Sequence, residues 1–191
     1  MSRELENRST TVAIIGAGPL GRWLALAAAH AGYRVLLEDV MPTNLRHAQE
    51  ALRAELGPDT LTNVAFVSTI EDAVRQADLV IDCVPDELES KLEILWLLDR
   101  MAPPRTVLAT PTTRLSIADL ANCTYRPEKV IAIAAEAQAL SARAASEILL
   151  KTGPQTSAET VELLRVFSER LGFAPRFERE AVDTVPPQPA P

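Results

Sequence analysis

The chain has 191 residues, 47% of them apolar, which is enough for one well-packed domain and short for two. Its formal charge of -7 argues against a nucleic-acid partner, because gripping a phosphate backbone needs a basic face. No apolar run approaches the roughly 18 residues of a membrane span, and the opening MSRELENRSTT has no apolar signal core, so a cytoplasmic protein is expected.

Residues 1–10 read as a polar leader. Val12 to Ile15 form a β-branched apolar run that ends directly in Gly16-Ala17-Gly18-Pro19-Leu20-Gly21. A strand running into G-x-G-x-x-G and then a helix is the arrangement that cradles a dinucleotide. Gly16 allows the tight turn, Gly18 lets the backbone approach a pyrophosphate at the helix N-terminus, and Gly21 lets helix and strand pack closely. The helix pattern follows at Leu20, Leu24, Ala27/Ala28 and Ala31, and Gly32 is placed to close it in a left-handed cap. Arg34 to Asp39 form a second strand with acids at its carboxyl end. Asp39, rather than Glu38, is the expected ribose ligand, 18 positions beyond Gly21. A carboxylate there repels a 2′-phosphate, so NAD is favoured over NADP. The competing reading is a glycine turn in some other α/β protein, with Asp39 starting a loop.

Further along, residues 42–56 read as a helix closed by Gly57-Pro58, and Val64 to Val67 as a strand. Leu79 to Asp82 is continuous and apolar, as a buried parallel strand should be. Residues 87–101 read as a long helix with Leu88, Leu92, Leu95 and Leu98 on one side. Val107 to Ala109 is a fifth strand, and Ser116-Ile117-Ala118-Asp119 opens a short helix. Val130 to Ala134 is a sixth strand, and Ile148 to Leu150 a seventh, antiparallel one. Thr156 to Glu159 cap a last helix whose inner face is Val161, Leu164, Phe167 and Leu171, and Ala174 to Glu178 suit an edge strand. The expected fold is a Rossmann-type, doubly wound, mostly parallel α/β sheet with antiparallel edge strands, a single domain over residues 11–178. Residues 179–191 are a proline-rich tail expected to stay disordered. Cys83 and Cys123 lack metal-ligand spacing and are expected to be free thiols, with no metal site.

This run of motifs resembles the NAD-binding domain of the L-3-hydroxyacyl-CoA dehydrogenases over roughly residues 11–175. The resemblance rests on the glycine turn and the strand Gly32 to Asp39. It rests also on Ala77-Asp78-Leu79-Val80-Ile81-Asp82-Cys83-Val84-Pro85, Leu108 to Ile117, and Arg126 to Ile131. Gulonate dehydrogenase and lambda-crystallin share the domain. The resemblance implies NAD as cofactor, held by Gly16, Gly18, Pro19, Leu20, Gly21, Asp39, Cys83 and Val84. It implies that Asp86, one methylene shorter than the family's Glu, and Lys91 contact the nicotinamide half. The alternative is a helix-terminal acid and a solvated lysine. Thr113 corresponds to a family Ser that touches substrate, and Pro111 replaces the Asn before it.

The same comparison puts the family's general-base His at Ala134 and the Glu that orients it near Ser146, beside Glu147. Oxidising a hydroxyl needs a group that takes its proton as hydride leaves, and Ala134 has none. His30, at the far end of the first helix, and His47, on the helix after the ribose-binding strand, are expected to be surface residues. Glu136, Glu147 and Thr113 are the remaining catalytic candidates. The family's helical hairpin after the second strand is cut to residues 42–63, and its C-terminal helical domain is expected to be missing.

Three functions follow as expectations. The first is an NAD-binding protein without the catalytic His, acting as a sensor, a regulatory subunit or part of an assembly. The second is a working oxidoreductase of fatty acid metabolism acting on an acyl-CoA, completed by a helical partner domain or homo-oligomer, or by a non-His base. The third is an interaction module in which Trp23 fills a vestigial phosphate cleft.

Overall fold

A computed structural model gives the structure of residues 10–134 and 147–180. The strands are β1 (Thr11–Ile15), β2 (Arg34–Glu38), β3 (Val64–Val67), β4 (Leu79–Asp82), β5 (Val107–Pro111), β6 (Val130–Ile133), β7 (Glu147–Thr152) and β8 (Ala174–Arg179). The helices are α1 (Pro19–His30), α2 (Pro42–Glu55), the short α3 (Pro58–Leu61), α4 (Ile70–Val74), α5 (Leu88–Met101), α6 (Ile117–Asn122) and α7 (Ala158–Arg170).

The strands form one eight-stranded sheet in the order β3-β2-β1-β4-β5-β6-β7-β8. β1 to β6 are parallel, and β7 pairs antiparallel to β6. The expected antiparallel direction is therefore found, but one strand in from the edge. The edge strand β8 runs parallel to β7, because α7 lies between them as a crossover.

Alternation along each strand sends side chains to two cores. Ile14, Val35, Leu37, Leu79 and Leu150 face α1, α2 and α7, with Leu24, Leu52, Leu164 and Phe167 opposite them. Ala13, Ile15, Val80, Leu108 and Ala132 face α4, α5 and α6, meeting Val74, Leu95, Leu98 and Leu120. With both faces covered, the strands read as continuous apolar runs.

Helix ends follow local chemistry. Thr69, Ser116 and Ser157 each accept a hydrogen bond from a first-turn amide of the helix they precede. Gly32, at φ +83°, closes α1 in the left-handed conformation expected of it. Just past β8, Glu180 accepts from the Ala118 amide and the Ser116 hydroxyl at the start of α6. The strand order reverses at β1 and β4, and this switch point opens a crevice at the carboxyl ends of the strands. Residues 1–9, 135–146 and 181–191, which include all but the last residue of the expected leader, Glu136 and the tail from 181, lie outside the described residues. Arg179 and Glu180, expected to open the disordered tail, are instead ordered with β8: Arg179 ends the strand, and Glu180 just past it bonds to Thr152 and α6.

Candidate functional site

The glycine turn occupies the crevice between β1 and β4. Gly16, at φ +103°, takes a conformation open to few other residues, and its amide donates to the Glu38 carbonyl at 2.8 Å. A Cβ on Gly21 would lie 1.8 Å from the Gly16 carbonyl oxygen, so α1 rests on the turn with no room for a methyl. Gly18 differs. As N-cap of α1 it has φ -66° and ψ -174°, and a Cβ there would meet nothing within 4 Å. Protein packing does not require glycine at Gly18, whereas an anion seated on the helix N-terminus does. The turn therefore fits a pyrophosphate, with Pro19 in the first turn of α1 removing an amide that has no helical partner.

Asp39 stands just past β2 and is 7% exposed. Its Oδ2 accepts from the Ala17 amide at 2.8 Å and from Asn44 Nδ2 at 3.0 Å, and its Oδ1 accepts from the Met41 amide at 2.8 Å. The carboxylate thus splices the glycine turn to the loop after β2. Asn44, in the first turn of α2, is a partner of Asp39 that sequence spacing does not single out. Glu38 points to the opposite face and is 4% exposed. Burial, and secondarily the charge of Asp39, push its carboxyl up to about 7.

At the end of β4 the Cys83 amide donates to Ile15 O at 2.7 Å, and the Cys83 carbonyl lies 3.2 Å from where a Gly16 Cβ would sit. Burial, and secondarily the charge of Asp82, push the Cys83 thiol above its ordinary value. Val84 and Pro85 border a groove of about 360 Å³ with Ile70, Ile94 and Leu97. Lys91 is fully buried, so it is neither the solvated helix lysine of the alternative reading nor exposed for direct contact with a nicotinamide. Its Nζ lies 2.5 Å from Oδ1 of Asp82, also fully buried. Burial pushes the Asp82 carboxyl up while Lys91 pulls it down. Asp82 and Thr110 stand side by side at the ends of β4 and β5, the Thr110 hydroxyl helping to hold the Asp82 carboxylate, while Asp86 Oδ1 is buried with no partner among the described residues.

The loops after β4 and β5 meet at Asp86. Its Oδ2 accepts from the Thr113 amide at 3.4 Å, and its carbonyl accepts from the Arg114 guanidinium at 2.8 Å. Asp86 and Thr113, separated by 27 residues, are thereby brought together. Ala134 follows β6 at the same edge, its amide donating to Leu149 O at 2.8 Å. Glu147 opens β7, where Arg176 of β8 approaches it at 3.5 Å. His30 and His47 are exposed on α1 and α2. Trp23 packs edge-on against Phe173, ring centroids 5.9 Å apart, in the core beneath α1. It does not fill the phosphate cleft, so the interaction-module reading loses its support.

A family model described as the 3-hydroxyacyl-CoA dehydrogenase NAD binding domain matches residues 11–176. A Bacillus subtilis protein named "Probable 3-hydroxybutyryl-CoA dehydrogenase" is 32% identical over 133 residues, 63% of this chain and 46% of its own length. The mitochondrial hydroxyacyl-coenzyme A dehydrogenase of Sus scrofa is 29% identical over 182 residues, 86% of this chain and 57% of its own. The chain thus spans about half the length of these relatives. Among solved structures, (S)-3-hydroxybutyryl-CoA dehydrogenase from Ralstonia eutropha superposes with a TM-score of 0.81 at 22% identity, over 91% of this chain and 65% of that one. Among the described residues no helix is long and apolar enough to cross a membrane, and no group of His, Cys, Asp and Glu is arranged to hold a metal.

Proposed function

The chain belongs to the family of the 3-hydroxyacyl-CoA dehydrogenase NAD-binding domain, and from that premise we propose that it docks NAD(H) at the β1–β4 switch point without a histidine base beside the nicotinamide. In this reading the pyrophosphate sits at the N-terminus of α1, on the Gly18 amide and the first-turn amides beyond Pro19, against the open face of Gly18; the Ala17 amide is already bonded to Asp39. Asp39 accepts from the adenosine ribose with lone pairs left on a carboxylate whose Oδ2 is fixed by Ala17 and Asn44 and whose Oδ1 is fixed by the Met41 amide. The groove beside Val84, apolar along Ile70, Ile94 and Leu97 with Ser90 and Glu93 also lining it, takes a face of the adenine, next to the Cys83 backbone. Asp86 and Thr113 stand at the nicotinamide end, with Asp86 Oδ2 accepting from the Thr113 amide. Lys91 acts from beneath, fixing the Asp82 carboxylate under the site. NAD supplies hydride transfer when bound; the chain's own residues hold and orient it.

The observation that carries this reading is the contrast between Gly21, closed by the protein itself, and Gly18, open to an outside group. At the position that aligns with the family base, Ala134 has no proton acceptor, and Glu147 lies on β7 with Arg176 beside it. Acyl-CoA thioesters are the substrate class to test, and a helical partner domain or a second copy is what would complete a substrate pocket. Calorimetric titration with NAD and NADH is expected to show saturable binding. Nicotinamide absorbance is expected to stay flat with 3-hydroxybutyryl-CoA, acetoacetyl-CoA and free hydroxy acids. Absence of heat at millimolar cofactor overturns the docking; turnover abolished by Glu147→Gln or Glu136→Gln overturns the missing base.

A further inference from the structure

Strand β8 closes the sheet on one side, and among the described residues nothing pairs with its outer edge. Its inner edge is used: the Glu180 amide donates to the Thr152 carbonyl, and the Thr152 hydroxyl donates to the Glu178 carbonyl. Backbone groups alternate along a strand, so residues 176, 178 and 180 address β7, whereas Pro175, Phe177 and Arg179 turn theirs outward. Proline thus falls at an outward position, where its missing N–H disturbs no bond within the sheet. Phe177 is 40% exposed, and the Arg176 side chain, 3.5 Å from Glu147 on β7, is still 73% exposed.

We propose that a second copy of this chain docks on that edge, β8 against β8, antiparallel about a two-fold axis through Phe177. The sequence Pro175-Arg176-Phe177-Glu178-Arg179 is complementary to itself in this register and in no neighbouring one. With Phe177 opposite Phe177 of the other copy, each Arg176 faces a Glu178, in the closer, non-hydrogen-bonded kind of pair. The two Phe177 residues exchange both backbone hydrogen bonds, and each Arg179 amide donates to a Pro175 carbonyl. Moving the axis to residue 176 sets Arg176 against Arg176, and moving it to 178 sets Glu178 against Glu178. Charge on an edge strand ordinarily repels a second strand; here the order of the charges makes it attractive and fixes the register. The two sheets then join into one of sixteen strands, with Phe177 covered by its own counterpart.

The test is analytical ultracentrifugation of the full chain across micromolar concentrations. The wild type is expected to dimerise. Arg176→Glu and Glu178→Arg alone should each weaken dimerisation about tenfold or more, because both symmetric pairs turn repulsive. An equimolar mixture of these two variants should recover a heterodimer, since each then offers the charge the other lacks. Phe177→Pro, which removes only outward amides, should give a monomer with wild-type circular dichroism. A wild type that stays monomeric, or variants that all dimerise as it does, overturns the proposal. NAD titration of the same samples reads the cofactor site separately, so failure of one leaves the other standing.

Discussion

Two glycines three residues apart have opposite reasons for being glycine. Gly21 is dictated from within: the Gly16 carbonyl already occupies the place of its methyl. Gly21→Ala must lever α1 away from β1, at a cost of about 1–3 kcal/mol or more, and a lowered Tm will show it with or without cofactor. Gly18 has space around it and an ordinary φ of -66°. Gly18→Ala should therefore leave the Tm of the free protein within a degree or two, while NAD affinity measured by calorimetry falls about tenfold or more as the methyl meets the pyrophosphate. Equal losses of Tm and affinity in both variants would contradict this division. The spacing of the three glycines is legible in the sequence, but which one answers to the fold and which to a ligand is not. That difference lies in the distance to a carbonyl five residues back.

At the scale of elements, the strands were legible because burial on both faces leaves unbroken apolar runs such as Leu79 to Asp82. Helix α5 was legible in extent and largely in orientation, since Leu92, Leu95 and Leu98 of the expected face pack on the core. Its buried side is Lys91, Ile94, Leu95 and Leu98, while Leu88 is exposed. Lys91, Leu95 and Leu98 follow helical spacing, so the signal was present but masked by a charged residue type. What fixes the lysine inside is Asp82, on a strand whose neighbours cannot be read from its own sequence. Helix α4 went unread because five residues carry too little periodicity to register, and the direction of β8 because strand pairing is a long-range choice. The buried pair gives a prediction of its own. Lys91→Met leaves the Asp82 carboxylate buried without its cation and should cost about 3–5 kcal/mol in urea unfolding. The double variant Lys91→Met with Asp82→Leu, apolar in both places, should regain most of that. If the double variant is as unstable as the single, the loss comes from packing and not from stranded charge.

For the whole molecule, burial of acids at the carboxyl edge sets how stability runs with pH. Glu38 sits between the glycine turn, whose Gly16 amide its carbonyl receives, and the core beneath α4 and α5. Burial, with Asp39 next to it, holds its carboxyl at about 7 against an ordinary value of 4.5. Below pH 4.5 the group is protonated folded and unfolded alike and favours neither state. Between 4.5 and about 7 the unfolded chain gives up this proton while the folded chain keeps it, so the folded state binds more protons and its stability falls as pH rises. Glu38→Gln keeps the shape and removes the titration. Its Tm should lie close to wild type at pH 4.5 and above it by several degrees at pH 8, a gap that opens through the window just given. An offset that is the same at both pH values would mean that the glutamate is solvated and that its place in the core carries no electrostatic cost.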